Sequence, residues 1–162
     1  MPNRLALSDS PVPDPVALQH AEASLEERRG RVGPVLWRQA DDDTIPSRIE
    51  GYAAVFSQET VITVWWADWR EVIEPGAFDG ALSRPDDVRA LFNHDANLIL
   101  GRLSAGTLLL SVDAEGLRYQ IEPPATSYAT DLVISVKRGD ITQSSFAWRI
   151  IEESWKEPPK GS

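Results

Sequence analysis

Short apolar runs separated by Gly, Pro and Asp fill the chain from residue 48 onward, a pattern typical of β-strands. The runs cover residues 49–56, 60–66, 70–74, 88–95, 98–103, 107–113, 116–122 and 144–153. Alternation is clearest where Leu108 and Leu110 alternate with Leu109 and Ser111. A short turn ending in Gly116 separates this run from the next, and glycine tolerates the positive φ of a tight turn. The two runs therefore predict a β-hairpin.

Two helices are predicted between the strands. The first is short and begins near Pro75, because proline suits the first turn of a helix and the acidic Glu74 precedes it. The second begins after Thr126 or Ser127 and ends at Gly139, a residue that favours helix C-termini. Apolar residues lie on one face of this second helix: Leu132, Val133 and Val136.

About seven strands and two helices in roughly 110 residues favour a mainly β fold with helices (α+β), arranged as a small antiparallel β-barrel flanked by helices. Residues 1–48 are rich in Pro and charge and lack a strand pattern. They are expected to form a flexible N-terminal arm and linker. Residues 49–155 are expected to form the barrel domain, and residues 156–162 a C-terminal tail.

The composition excludes several kinds of chemistry. The chain has 162 residues, 42% of them apolar, and no cysteine. It therefore has no disulfide framework, no thiolate zinc site and no cysteine nucleophile, so covalent catalysis would need a hydroxyl. A single histidine in the strand-rich region does not supply a nitrogen-rich ligand set, so neither a metal nor another cofactor is expected.

The charge argues against polyanionic partners. Sixteen basic and 25 acidic residues give a net charge of −9, which repels nucleic acid and anionic membranes. No apolar run approaches the roughly 20 residues needed to cross a bilayer, and the N-terminus lacks the apolar stretch of a secretory signal. A soluble intracellular protein is expected, with no nucleic-acid or membrane partner.

His94 is the candidate general base. Of the two histidines, His20 lies in the expected arm, so imidazole chemistry in the main domain would use His94. It lies where an apolar strand ends in a polar turn, at Asn93-His94-Asp95. A half-exposed turn histidine is the structural alternative.

Ser144 and Ser145 are the candidate nucleophiles, since they open the last apolar strand. A serine held by a strand has a fixed hydroxyl, as a nucleophile beside an imidazole requires. Strand alternation puts Ser145 and Ala147 on one face, and places Ser144, Phe146 and Trp148 on the other, which should face the core. An ordinary strand start is the alternative reading of both serines.

Seven short motifs in this order resemble one known family. They are GYAAVF at 51–56, EPGAF at 74–78, LFNHD at 91–95, LGR at 100–102, GTL at 106–108, RGDI at 138–141 and SFAW at 145–148. Over about 100 residues they resemble the prohead, or capsid maturation, proteases of tailed bacteriophages, serine peptidases similar to herpesvirus assemblin. Single motifs such as GTL are weak, but the ordered set is specific.

The resemblance implies a serine endopeptidase that cleaves capsid or scaffold protein inside the immature prohead, in the host cytoplasm. The family's histidine falls on His94 and its serine on Ser145, 51 residues later. Ser145 would attack the peptide carbonyl and His94 would take its proton. The resemblance also implies self-association, and the helix from Tyr128 to Arg138 is the expected contact for a homodimer or a larger assembly.

The third catalytic residue is left open. Assemblins use a second histidine after the serine, but no histidine follows Ser145. Asp95 adjoins His94 and would need the turn to fold it back, while Glu153 lies eight residues beyond Ser145, about 26 Å along a straight strand. Backbone donors would bind the oxyanion, with Arg138 or Arg149 as less favoured helpers.

A non-catalytic protein of the same fold is the alternative function. Three tryptophans in residues 64–69 could form a sticky edge that binds capsid or scaffold protein during assembly. Such a binding module would keep the fold without using His94 or Ser145 as catalysts.

Overall fold

A computed structural model of the protein describes residues 26–28, 33–40, 47–64, 67–83, 87–148 and 154. The chain divides into two compact units, residues 29–146 and residues 1–28 with 147–162. The strands of the described residues are β1 Glu26–Arg28, β2 Leu36–Arg38, β3 Arg48–Val55, β4 Thr60–Val64, β5 Ala67–Glu71, β6 Arg89–Leu91, β7 Ile99–Arg102, β8 Leu108–Val112, β9 Gly116–Ile121 and β10 Phe146–Trp148. The helices are α1 Asp79–Leu82, the 3₁₀ helix Leu103–Ala105 and α2 Ser127–Arg138.

A four-stranded antiparallel sheet in the order β2-β3-β9-β8 is the centre of the larger unit. Its register places Ile49 opposite Ile121, and Ile121 opposite Leu108, so these three apolar side chains share one face. The hairpins β4–β5 and β6–β7 form two further sheets, and β1 pairs with β10. The predicted hairpin between β8 and β9 is confirmed, with Val112 opposite Leu117.

The core lies between the apolar face of this sheet and helix α2. The buried residues of this cluster are Ile49, Leu100, Leu108, Tyr119, Ile121, Ala129, Leu132 and Val136. Leu109 is 53% exposed whereas Leu108 is buried, as the alternation predicts. Burial of such side chains stabilises a fold by roughly 1.5–3 kcal/mol each, so the sheet and α2 form a firm support for the loops at its edges.

Both predicted helices are present, with one boundary shifted. Helix α2 follows Thr126 and ends at Gly139, whose φ of 80° is left-handed. Helix α1 begins at Asp79 instead of near Pro75. The reason is Gly76, whose φ of 92° is incompatible with an α-helix and turns the segment before α1.

The mainly β fold with few helices is confirmed, with the strands in antiparallel sheets. Among the described residues the strands form separate sheets that do not close, so the barrel remains a prediction. Residues 33–40 fall in the expected arm, yet Leu36 to Arg38 pair with β3. A three-residue strand is too short to show an alternating pattern, which explains why the sequence did not reveal it.

In the part of the chain that the structure describes, no helix is long and apolar enough to cross a membrane.

Glu50 is a buried carboxylate on the opposite face of the sheet. It is 6% exposed and accepts hydrogen bonds from Arg38 Nε at 2.5 Å, Arg118 Nη2 at 2.9 Å and Gln120 Nε2 at 3.2 Å. Burial raises the pKa of the Glu50 carboxyl, but the hydrogen bonds from Arg38, Gln120 and Arg118 outweigh burial, and the pKa lies below its ordinary value. The ionised side chain therefore ties β2, β3 and β9 together.

The substitution Glu50→Gln is expected to lower the free energy of unfolding at neutral pH by about 2 kcal/mol, because two guanidinium groups lose their shared carboxylate. A carboxyl whose pKa is lowered by folding stabilises the protein above its unfolded pKa, and this contribution is lost as the pH falls through the folded value. The difference between wild type and Glu50→Gln should therefore shrink in acid. Urea denaturation followed by circular dichroism at neutral and acidic pH measures it.

Glu122→Gln is the matched control, because Glu122 is exposed just beyond the end of β9. This control should change stability by less than about 0.5 kcal/mol at either pH. Equal losses for the two variants, or a Glu50→Gln loss that persists in acid, would contradict the role given to Glu50.

Candidate active site

His94 lies in the loop that joins β6 to β7. Asp95 N donates to Phe92 O at 3.0 Å, which closes a four-residue turn. The two central residues, Asn93 and His94, are both left-handed, with φ of 52° and 56°. Left-handed φ at both central residues is the backbone pattern of a type I′ turn.

The other half of the loop is closed by Asp95. Its Oδ1 accepts hydrogen bonds from Asn97 N at 2.8 Å and Asn97 Nδ2 at 2.9 Å. Leu98 N donates to Asp95 O, and Phe92 N donates to Leu98 O, each at 2.9 Å. The loop is thus fixed at both ends by its own hydrogen bonds.

Ser145 lies in the segment between α2 and β10, directly before Phe146. Val35 N donates to Thr142 O at 3.1 Å, which ties this segment to the chain entering β2. The ring of Phe146 packs edge-on against Phe78, with centroids 6.3 Å apart. Phe78 in turn stacks on Phe56 at 6.1 Å. The residues on both sides of Ser145 are therefore anchored to the rest of the unit.

The imidazole of His94 and the hydroxyl of Ser145 meet: His94 Nε2 and Ser145 Oγ form a hydrogen bond. The two residues are 51 positions apart and come from different elements. His94 is exposed and Ser145 is partly exposed, so solvent reaches the pair. An imidazole bonded to an accessible serine hydroxyl is an arrangement that can activate the oxygen for attack on a carbonyl.

Ser144 points elsewhere. Its Oγ is buried, and among the described residues it makes no hydrogen bond of ordinary geometry. It lies near the phenol of Tyr119: burial raises the pKa of Tyr119, and the Ser144 hydroxyl partly offsets that rise. The two adjacent hydroxyls thus have different surroundings. Both serines precede β10 instead of opening it, which corrects the expected strand start.

The remaining candidates have different surroundings. Asp95 uses Oδ1 in its own loop. Arg138 Nε pairs with Asp140 Oδ2 at 3.1 Å on the surface. Arg149, Glu153 and the side chains of the three tryptophans in 64–69 lie outside the described residues. Within the described ranges no group of three His, Asp or Glu side chains is arranged to hold a metal ion.

Sequence reasoning missed the backbone conformation at Asn93. Asparagine tolerates left-handed backbone better than most residues, and an asparagine in a hairpin loop is the signal that could have revealed the turn type. It also missed the bond from Val35 to Thr142, for which neither residue carries a local signal.

The sequence model of the caudovirus prohead serine protease family matches residues 35–162. That range includes the whole four-stranded sheet, His94 and Ser145. The chain belongs to this family. Its members are peptidases of capsid maturation, so membership supports a protease that acts on capsid or scaffold protein. Searches of the curated proteins and of the solved structures found no match to this chain.

Proposed function

We propose that this chain is a serine endopeptidase of prohead maturation in which Ser145 is the nucleophile and His94 the general base. The observation that carries the proposal is the hydrogen bond between His94 Nε2 and Ser145 Oγ. Family membership supplies the reaction class. A serine peptidase requires a serine hydroxyl beside a general base, and both side chains of this pair are accessible to a substrate.

The proposed reaction follows from the two atoms in contact. Ser145 Oγ attacks the scissile carbonyl carbon while its proton passes to His94 Nε2, which must enter the step unprotonated. The same nitrogen then gives the proton to the leaving amine as the peptide bond breaks, and an acyl-serine remains. Water then attacks that ester while its proton passes to His94 Nε2, and the nitrogen gives this proton to Ser145 Oγ as the ester bond breaks and the new C-terminal acid leaves.

Backbone N–H groups are the proposed donors to the oxyanion. Arg138 is less suited to this role, since its side chain is 70% exposed and paired with Asp140. Asp95 serves its own loop through Oδ1, so the proposal treats Asp95 as a loop residue and rests on the pair His94 and Ser145.

The proposed substrate is capsid or scaffold protein, and the proposed place of action is the immature prohead in the host cytoplasm. In this proposal the sheets of residues 49–155 belong to a small barrel flanked by helices, similar to assemblin. No cofactor is required, because a hydroxyl and an imidazole supply the proton transfers and the bond formation.

Co-expression of the chain with the capsid and scaffold proteins of its own phage tests the proposal. Mass spectrometry of those proteins should show new termini with the wild-type chain and intact proteins with Ser145→Ala. Capsid or scaffold protein that remains intact but co-purifies equally with both chains would favour the non-catalytic binding module instead.

We further propose that copies of the chain associate through helix α2. Leu132 and Val136 are buried, but Ile134 on the same helix is 49% exposed. Ile134 borders a groove of about 320 Å³ that is lined by Trp37, Pro123, Pro124 and Val133 among others. The groove is mainly apolar, although Thr130 and Lys137 also line it. Association with a second copy of this helix would bury Ile134 and the apolar side chains of the groove.

Sedimentation across a concentration series is expected to show self-association of the wild-type chain, with specific peptidase activity rising in parallel by mass action. Ile134→Glu should remove both effects, because it places a charge in the proposed contact. Leu109→Glu is the matched control, since Leu109 is 53% exposed on the other face of the sheet and lies outside the contact. A wild-type monomer with constant specific activity would refute this proposal.

A further inference from the structure

The turn that carries His94 is built from two residues in a backbone conformation that few residues adopt. Left-handed φ is uncommon outside glycine, because the Cβ atom approaches the neighbouring carbonyl oxygen. The second central position of a type I′ turn strongly favours glycine. Here that position is His94, with φ of 56°. The turn therefore has histidine at a position where glycine would be more favourable.

Asn93 occupies the first central position, with φ of 52°. Its side chain is exposed and makes no hydrogen bond within the part of the chain that the structure describes. It neither packs in the core nor bonds His94. Asn93 therefore contributes to the turn through its backbone conformation, since asparagine is among the residues that best tolerate left-handed φ.

The direction of His94 depends on this turn. Asp95 fixes the far side of the loop through Asn97, and the left-handed backbone at Asn93 and His94 sets the direction in which the His94 side chain leaves the loop. Ser145 is held independently, through Thr142 and Phe146. Two separately anchored groups meet in one hydrogen bond, and a misplacement of 1 Å can cost about 100-fold in rate.

We propose that Asn93 is a positioning residue, which holds the left-handed turn that points His94 Nε2 at Ser145. This inference rests on the proposed function, since it assigns a role within the same site. If Asn93 acts through its backbone, glycine should replace it well; if its side-chain amide contributes to reactivity directly, glycine should not.

Inactivation by a fluorophosphonate measures the reactivity of the serine without a known cleavage sequence. The full chain would be compared as wild type, Asn93→Gly, Asn93→Ala and Asn93→Val, with kinact and KI determined separately. Glycine keeps the left-handed freedom, alanine resists it, and β-branched valine resists it most. Ser57→Val is the matched control, because Ser57 is also left-handed, with φ of 54°, but lies outside this loop.

The proposal predicts that Asn93→Gly keeps kinact within about threefold of wild type, and that Asn93→Val lowers kinact by about tenfold or more with KI unchanged. Asn93→Ala should fall between them, which keeps the test decisive if the valine variant does not fold. Ser57→Val should lose thermal stability much as Asn93→Val does, yet keep the wild-type kinact.

Two results would overturn the positioning role while leaving the proposed function intact: a wild-type kinact for both Asn93→Val and Asn93→Ala, or a loss in Asn93→Gly as large as in Asn93→Val. The first would make Asn93 irrelevant to reactivity, and the second would show that reactivity depends on the Asn93 side-chain amide and not on its backbone conformation. Failure of the wild-type chain to react at Ser145 would overturn the proposed function and, with it, the role of Asn93.

Discussion

The substitution Ser145→Ala is expected to lower the rate of capsid-protein cleavage by about 10⁴-fold or more, to background, because it removes the oxygen that forms the acyl intermediate. The fold should be unaffected. Ser145 is only partly buried, and its hydroxyl has the His94 imidazole as its hydrogen-bond partner. Cleavage assays with purified chain and circular dichroism of the same samples measure both quantities.

Ser144→Ala is the natural control, since it removes the same group from the neighbouring residue. The Ser144 hydroxyl is buried near Tyr119 and makes no hydrogen bond of ordinary geometry within the described part of the chain. Its loss should leave the cleavage rate within about threefold of wild type and change stability by less than about 1 kcal/mol. An inactive Ser144→Ala beside an active Ser145→Ala would mean that the nucleophile has been assigned to the wrong serine.

Replacement of His94 is expected to abolish cleavage. The glycine and alanine variants at this position should also differ in stability. Both His94→Gly and His94→Ala lack the general base, so each should lose about 10⁴-fold or more in rate. Residue 94 is left-handed, with φ of 56°. Alanine at such a position is strained by about 1 kcal/mol relative to glycine, so His94→Gly should be the more stable variant by that amount.

This order of stability is the reverse of what helices and strands show, where glycine is the less stable residue by roughly 0.5–1 kcal/mol. Urea denaturation of both variants measures the difference. The matched pair Leu110→Gly and Leu110→Ala, within β8, should show the ordinary order. Greater stability of His94→Ala than of His94→Gly would contradict the left-handed turn.

Features set by local chemistry could be predicted from the sequence. Helix α2 lies between Thr126 and Gly139 as expected, because its apolar spacing and the glycine at its C-terminus are encoded locally in the sequence. The hairpin of β8 and β9 follows from period-two alternation on both sides of a glycine-containing turn.

Features set by distant contacts could not be predicted in this way. Strand β2 is three residues long and exists through its pairing with β3. The start of α1 depends on the left-handed Gly76, whose φ the sequence does not specify. The two candidate catalytic residues could each be singled out by type and place. Their contact, however, depends on a loop conformation at Asn93 and a backbone bond between Val35 and Thr142, which no local pattern encodes.

The central claim is that Ser145, activated by His94, is the nucleophile, and mapping the residue that a fluorophosphonate modifies tests it most directly. Trypsin should release residues 139–149 as one peptide that contains both Ser144 and Ser145, and fragmentation in the mass spectrometer assigns the adduct to one of them. The account predicts an adduct on Ser145 in the wild-type chain and none in His94→Ala. An adduct on Ser144, an unmodified wild-type chain, or full modification of His94→Ala would contradict it.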